Sequence, residues 1–312
     1  MNIQKLTERI RDYANHAWRR ELLYQDKAKW NKMWASMDVI GDTQLAIDFY
    51  AALPEFSSNS GGYLYIYGLL QSLFVQQDAC SHINNVITGN KIGWKSDYPT
   101  LLNIREIRNM SIGHPGSRGD KSFHHISRIS ISKDSFEMLT YYSDENSKSE
   151  LKKISIKKII DKQNDLVIGI LSSIEGYMKS ELKNHKKKFE GKKLADSFPS
   201  DSHYVFSKLY ETGSDSNALQ KVHFTILLEA YEKIKDGIIY RYVSLDALSG
   251  IKYNNEMLDY IFNRLDRDMI INRIDDDKEL YIFVQALEKE WEELEDMTKE
   301  IDEEFSDIEF ET

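Results

Sequence analysis

Hydrophobic residues recur at steps of three and four along most of the first half of the chain, which is the spacing of amphipathic helices. The pattern predicts helices over residues 2–37 (one helix or two), 43–52, 63–86, 101–112 and 156–178, with a polar loop at 57–62. The segment 63–86 is apolar around much of its circumference, so it is predicted to be a central buried helix. Pro99 lies in a helix-start pattern, and Gly113 with Pro115 ends the helix that follows it.

The pattern changes between Phe123 and Tyr142, where β-branched and aromatic residues alternate with polar ones. Such alternation predicts a β-hairpin, with its turn near Lys133 and Asp134. The first half of the chain is therefore predicted to be an up-and-down bundle of four main helices, with a hairpin at about 122–145 inserted before the last helix.

The segment 192–202 combines charged residues with serine and proline, and it is the best linker in the chain. We therefore predict a helical domain over 1–195 and a smaller, mostly helical C-terminal domain over 196–312. Helical spacing in that second domain covers 218–235, 255–271 and 277–305, whereas 237–244 reads as either a short strand or a buried connection. The predicted fold class is mainly α.

Composition narrows the class of protein. The 312 residues are 41% hydrophobic and 29% charged with only 4 prolines, as in globular rather than disordered or fibrous chains. The N-terminus lacks the apolar core of a signal peptide, and the apolar stretches are too short to span a membrane, so we expect a cytoplasmic protein without a membrane partner.

Cys80 is the only cysteine, which excludes an internal disulfide and fits a buried filler in a reducing compartment. No phosphate-binding loop, nucleophile elbow or metal-ligand spacing is present, so no cofactor and no metal are expected.

The net charge of −10 is unevenly distributed. Residues 275–312 hold 17 acidic residues and 3 lysines, so this tail carries −14 and the preceding 274 residues about +4. Because electrostatic recognition depends on local patches, the acidic total does not exclude a nucleic-acid partner. The tail itself is open to two interpretations: a solubilising helix, or an element that binds a partner or restrains the basic part of the chain.

The segment Arg108 to His114, with the sequence RNMSIGH, contains the strongest candidate chemistry. Arg105 and Arg108 are three residues apart and should share a helix face near its C-terminal end. Gly113 suits a left-handed C-cap, and a residue before proline is disfavoured in a helix, so His114 is predicted to lie in an extended turn just beyond. Arg118 is near enough in sequence to contact the same ligand.

These residue types suit cleavage of RNA without a metal ion. His114 can transfer a proton near neutral pH, Arg108 can hold phosphate oxygens and stabilise developing charge, and Asn109 can orient either group. One histidine per chain cannot easily act as base and acid together, so a twofold dimer that supplies two motifs to one cleft is part of the hypothesis.

Arg108 is followed directly by a polar residue, and five positions separate it from His114. This spacing, at the end of the third helix of the predicted four-helix bundle, resembles the active-site motif of the HEPN superfamily. The resemblance covers roughly residues 1–190 at the level of helix order. It implies a homodimer with a composite site and metal-independent endoribonuclease activity on RNA. It also implies a role in a toxin or antiphage (abortive infection) system, with an antitoxin or regulatory protein as a possible partner.

By this resemblance Arg108, Asn109 and His114 are the catalytic residues, with Arg105 and Arg118 as RNA-binding candidates. Toxins of this type often carry a tyrosine two residues after the histidine, but this chain has Gly116 there, so regulation through that tyrosine is not expected.

Alternatives remain open at this point. Arg108 and His114 can instead be a surface arginine and a histidine that interacts with a helix dipole, in a catalytically silent HEPN-like scaffold or binding module. A helical regulator that acts through its acidic tail is a third possibility. His124 and His125 are neighbours in a predicted strand and should point to opposite faces, so they are not expected to form one site.

Overall fold

The protein is mainly helical, as the sequence predicts. The structure, a computed structural model, describes residues 2–113, 122–144, 148–211, 216–271 and 277–306. Within these ranges the chain forms ten α-helices: α1 (Ile3–Asn15), α2 (Ala17–Tyr24), α3 (Lys27–Ala52), α4 (Asn59–Thr88), α5 (Pro99–Arg108), α6 (Ile156–Lys187), α7 (Ser202–Leu209), α8 (Ser216–Tyr242), α9 (Ser249–Ile271) and α10 (Asp277–Ser306). Three strands form one sheet: β1 (Ser122–Ile126), β2 (Ser135–Tyr142) and β3 (Glu150–Ser155).

Contacts group the chain into two units. The first unit consists of residues 1–13 and 26–179, and the second consists of residues 14–25 and 180–312. This grouping assigns α2 to the second unit, although it lies near the start of the chain. The predicted domain boundary near residue 195 stays a prediction, and each unit is described separately below.

The two longest helices of the first half of the chain begin at capped positions. Asp26 caps α3 by accepting hydrogen bonds from the backbone of Ala28 and Lys29, and Ser58 caps α4 through Gly61. The separate short helix predicted at 43–52 is wrong, because α3 continues without a break to Ala52. The loop predicted at 57–62 is wrong from Asn59 onward, because the serine cap lets this polar segment form the first turn of α4.

A buried amide network joins α4 to α6 in the first unit. Gln76, Gln77 and Gln163 are all completely buried. Gln163 donates to the carbonyl of Leu73 at 3.0 Å and to the Oε1 of Gln76 at 3.0 Å, and it accepts from Gln77 at 2.8 Å. Because unpaired buried amides are costly, these bonds favour one register of α6 against α4 at residues 73–77.

The sheet is antiparallel with strand order β1-β2-β3. The predicted hairpin is confirmed as β1 and β2, with Lys133 and Asp134 in the connection between them. Strand β3 was not predicted, because only Ile154 of its six residues is buried and the strand lacks the alternation that marks a half-buried strand.

The acidic α10 is part of the core of the second unit. Its buried face includes Trp291, which is 1% exposed and lies in the same hydrophobic cluster as Tyr231 and Tyr242 of α8. The strand alternative for 237–244 is wrong, because α8 extends to Tyr242. Helix α7 was not predicted, and Asp201 caps it through Tyr204.

A buried ion pair joins α8 to α10. The Nη2 of Arg241 lies 3.3 Å from the Oδ1 of Asp302, and their side chains are 4% and 9% exposed. The carboxylate of Asp302 also accepts from the backbone of Leu194 at 2.8 Å and Ala195 at 3.0 Å, while Arg241 donates to the carbonyl of Lys192 at 2.6 Å. Asp302 therefore fixes the segment near residue 194 as well as the arginine.

His185 lies beside this ion pair. Its Nε2 is 2.7 Å from the carbonyl oxygen of Arg241, and its ring stacks on Trp18 of α2 with centroids 4.0 Å apart. Burial lowers the pKa of His185 to about 4, although its bond to that carbonyl and the charge of Glu304 act in the opposite direction. The ring is therefore neutral at physiological pH.

We predict that Asp302→Ala destabilises the protein by about 3 to 5 kcal/mol, because it leaves the charge of Arg241 buried without its partner. Chemical denaturation followed by circular dichroism measures this change. The matched control is Asp296→Ala, which removes an exposed aspartate of the same helix from its pair with Lys299 and should cost less than about 1 kcal/mol. Equal losses for the two variants would contradict a structural role for the buried pair.

We also predict that stability falls as the pH is lowered from about 6.5 to about 4, the interval between the unfolded and folded pKa values of His185. In this interval the unfolded chain binds a proton that the folded chain does not, so this one group contributes a slope of up to about 1.4 kcal/mol per pH unit. Measuring unfolding free energy against pH for the wild type and His185→Gln isolates that slope as the difference between the two curves. Parallel curves would show that His185 does not contribute.

Candidate functional site

The segment with the candidate chemistry continues directly from α5. Pro99 occupies the first turn of this helix, as expected for a residue without a backbone N–H, and the α-helix ends at Arg108. Residues Asn109–Gly113 then form a π-helical turn. The helical prediction through residue 112 is confirmed, whereas the wider π-helical form was not predicted. Such turns are rare and frequently occur at functional sites.

Two arginines share one face at the end of α5, as predicted. Their guanidinium carbons lie 3.9 Å (Arg105) and 4.6 Å (Arg108) from the ring centroid of Phe74 on α4. Arg105 also lies 5.1 Å from the ring of Trp94. The negative face of an aromatic ring attracts cations, so Phe74 holds two positive charges close together despite their mutual repulsion.

Arg105 has a charged partner. Its Nη1 lies 2.8 Å from the Oδ1 of Asp78, and only 16% of its side chain is exposed. Its charge is thus largely compensated within the chain, which makes this arginine a link between α5 and α4. Its predicted role in binding RNA stays a prediction.

Arg108 has neutral partners instead. Its Nε and Nη2 donate to the Oε1 of Gln71 at 3.0 and 2.7 Å, and its Nη1 donates to the Oδ1 of Asn109 at 3.0 Å. Among the described residues, no carboxylate forms an ion pair with it. The guanidinium is therefore held in place while its charge remains uncompensated, which is the state required for binding an anion.

The π-helical turn buries a hydroxyl group. Ser111 is 5% exposed, and its Oγ has no hydrogen-bond partner in the described part of the chain. An unpaired buried hydroxyl has a free-energy cost, so the burial of Ser111 in this turn is offset by other interactions of the fold.

The structure brings together three of the five predicted site residues: Arg105, Arg108 and Asn109. The other two, His114 and Arg118, lie outside the described residues, and their positions relative to Arg108 stay predictions. Asn109 contacts the arginine through its side-chain oxygen, which is one of the orienting roles expected of an amide at this position.

Sequence reasoning missed the α4 side of the site. Gln71, Phe74 and Asp78 follow one another at steps of three and four, so they form a stripe on one helix face. The sequence did contain one signal for this surface: Gln71 and Asp78 are polar residues in a helix that is otherwise predicted to be buried. Their partners could not be identified from the sequence, because nothing local indicates which helix packs against that face.

Other candidate groups have structural roles. His124 is 9% exposed and lies within 3.0 Å of the Oγ1 of Thr140 and 3.1 Å of the Oγ of Ser122, whereas His125 is exposed. The two histidines therefore point to opposite faces of the sheet, as predicted. Cys80 is completely buried, and burial raises the pKa of its thiol to about 12, so it stays protonated and unreactive.

A groove of about 780 Å³ between α1, α3 and α6 is lined mainly by negative charge, unlike the positively charged end of α5. Glu8, Asp38, Asp42 and Asp48 line it, with Arg11 as a single cation that pairs with Asp38. A surface of this sign repels phosphate, so the groove is not a candidate site for RNA.

Within the described ranges, no three histidine, cysteine or acidic side chains lie close enough together to hold a metal ion. The described helices also include none with a stretch long and apolar enough to cross a membrane. Comparison with models of protein families, with curated proteins and with solved structures gave no match.

We predict a measurable energetic coupling between Arg105 and Phe74. A double-mutant cycle with Arg105→Met and Phe74→Leu should give an interaction energy of about 0.5 to 2 kcal/mol, because the guanidinium sits over a partly desolvated ring. Free energies of unfolding for the wild type, both single variants and the double variant provide the cycle. Strict additivity of the two substitutions would rule out the interaction.

Proposed function

We propose that this protein is a metal-independent endoribonuclease of HEPN type, whose site is completed by a twofold dimer. The observation that carries the proposal is the uncompensated charge of Arg108. Three hydrogen bonds to neutral amides orient this guanidinium at the start of a π-helical turn, and His114 is the next residue of the sequence after that turn.

In the proposed reaction the 2′-hydroxyl of a ribose attacks the adjacent phosphorus, and the 5′-oxygen of the next nucleotide leaves. Arg108 binds the non-bridging oxygens of the phosphate and stabilises the negative charge that develops there. A phosphate is a stronger acceptor for the guanidinium than an amide is, so it can replace Gln71 while Asn109 keeps its bond.

His114 of one protomer removes the proton from the 2′-hydroxyl, and the same residue of the partner protomer protonates the leaving oxygen. This assignment explains why the site would need two copies, since one imidazole cannot hold both protonation states at once. Toxin or antiphage activity, with an antitoxin or regulatory protein as partner, is the biological role that the HEPN resemblance adds to this proposal.

The second candidate is a catalytically silent HEPN-like scaffold or binding module. Two observations favour it. Arg105 forms an ion pair with Asp78 that links α5 to α4, and three nitrogens of Arg108 already have acceptors within the chain. In that case the arginine pair holds α5 against α4, and no bond in a ligand is broken.

We predict that the purified dimer cleaves RNA in the presence of a metal chelator, and that Arg108→Ala and His114→Ala each reduce cleavage by at least about 100-fold. Gel analysis of a labelled RNA measures the rate. Products that end in a 2′,3′-cyclic phosphate would identify attack by the 2′-hydroxyl.

The matched control is Arg20→Ala, an arginine of the second unit that bonds the carbonyl of Ala247 and should leave cleavage unchanged. Cleavage per protein chain should also fall on dilution to the point at which the dimer dissociates, because fewer chains are then part of a complete site. If the dimer cleaves no RNA, or if both site variants cleave as well as the wild type, the scaffold hypothesis is favoured.

A further inference from the structure

The C-terminal end of α6 and the turn after it carry a dense run of lysines that the proposed reaction does not use. Residues 183–193 contain six lysines and one acidic residue, Glu190. Lys186 is turned inward, since it is 7% exposed and its Nζ donates to the backbone carbonyl of Glu304 at 2.6 Å. The other five lysines are exposed: Lys183, Lys187, Lys188, Lys192 and Lys193. We refer to these five residues as the lysine patch.

The charges of the lysine patch are not compensated within the described part of the chain, where none of the five side chains forms an ion pair. The dipole of α6, which ends at Lys187, favours cations at its C-terminal end and explains the positions of Lys183 and Lys187. It does not explain Lys192 and Lys193, which lie beyond the helix. The patch is therefore a concentration of positive charge available to an anion outside the chain.

The backbone that carries the lysine patch is anchored to the core of the second unit. Phe189 and Leu194 of this segment are 4% and 2% exposed and belong to the hydrophobic cluster of that unit. Arg241 donates to the backbone carbonyl of Lys192 at 2.6 Å, and the carboxylate of Asp302 accepts from the backbone of Leu194 at 2.8 Å. The turn is thus held in place while its lysine side chains remain in solvent.

An exposed aromatic ring lies beside the lysine patch. Tyr240 of α8 is 65% exposed, and its ring centroid lies 5.0 Å from that of Phe189, which directly follows Lys188. The next residue of α8, Arg241, is the one that bonds the backbone of Lys192. A flat ring next to free cations matches the alternation of bases and phosphates in a single nucleic-acid strand.

We propose that the lysine patch and Tyr240 bind a single strand of nucleic acid, with the lysines on its phosphates and the ring stacked on a base. The inference goes beyond the proposed reaction, because this surface lies in the second unit and does not include Arg108. Phosphate contacts and stacking tolerate any base, so the binding is not sequence-specific. An anionic lipid surface is a poorer partner, because the apolar residues of the turn, Phe189 and Leu194, are buried and cannot insert into a bilayer.

The test is a binding measurement on the full chain that does not depend on cleavage. A fluorescently labelled 2′-O-methyl oligonucleotide lacks the attacking hydroxyl, so the protein can bind it but cannot cut it. We expect the triple variant Lys187→Gln, Lys188→Gln, Lys192→Gln to weaken binding at low salt by at least about tenfold, as measured by fluorescence anisotropy. The slope of log affinity against log salt should fall by about 2, since each phosphate contact on a single strand contributes about 0.7.

The other end of α6 offers a matched control. Lys157, Lys158 and Lys162 are exposed and have the same spacing in the sequence, so their replacement by glutamine changes the net charge equally. This control variant should retain the wild-type affinity and slope. The patch variant should also lower the slope by the same amount in an Arg108→Ala background, because the two surfaces have no residue in common.

The contribution of the ring is tested separately. Tyr240→Ala should weaken binding roughly tenfold, because it removes a stacking surface, whereas Tyr240→Phe should bind about as well as the wild type. Tyr253→Ala is the control, since this tyrosine of the same unit is 63% exposed but lies on α9. Thermal denaturation of each variant shows whether the second unit is intact.

An unchanged affinity and slope in the folded patch variant would overturn the inference, as would an equal loss in the control variant or no binding by the wild type. Vesicles containing phosphatidylserine provide the lipid arm. Patch-dependent binding to these vesicles without binding to the oligonucleotide would also overturn the inference and assign the surface to a membrane.

The inference and the proposed function fail separately. Patch-dependent binding of the oligonucleotide without cleavage of ordinary RNA leaves the binding surface and removes the nuclease. Cleavage of RNA by a wild type whose oligonucleotide affinity does not depend on the patch leaves the nuclease and removes the binding surface.

Discussion

The buried amides of Gln76, Gln77 and Gln163 are the constraint on which the candidate site depends. All three amides are completely buried, and Gln163 of α6 bonds Gln76, Gln77 and the carbonyl of Leu73 on α4, so these bonds add a polar constraint to the register of the two helices. Leu73 comes immediately before Phe74 in the chain. Phe74, whose ring both arginines contact, is therefore adjacent to a turn of α4 that a buried hydrogen bond ties to α6, and such support helps to keep the charged groups of a site in place.

The two arginines show how similar residues three positions apart can have different uses. Phe74 lies under both guanidinium groups, so the difference arises from their other partners. Asp78 compensates the charge of Arg105, whereas Gln71 and Asn109 orient Arg108 without compensating its charge. A carboxylate at position 71 would have closed the site to anions. The neutral amide there leaves the positive charge of Arg108 ordered and without a carboxylate partner, whereas Asp78 compensates the charge of Arg105.

In the second unit, too, the partner of a charged side chain determines its role. Most of the acidic charge of α10 faces solvent, but Asp302 is turned inward and pairs with Arg241, and it also binds two backbone amides near residue 194. The acidic end of the chain is thus not simply a solubilising extension. One face of it completes a core around Trp291, and the buried carboxylate determines which residues α10 can meet.

Hydrophobic periodicity alone determined the helical class, most helix positions and the β1–β2 hairpin, because those features depend on spacing within one segment. It also indicated that Arg105 and Arg108 share a face and that His124 and His125 do not. It failed where one capping residue reverses the tendency of a polar segment, as Ser58 does at the start of α4, and where a strand such as β3 shows no alternation. Only the tertiary structure decided which arginine has a carboxylate partner, because Gln71 and Asp78 are 37 and 27 positions away from their partners in the chain and meet them through the packing of α4 against α5.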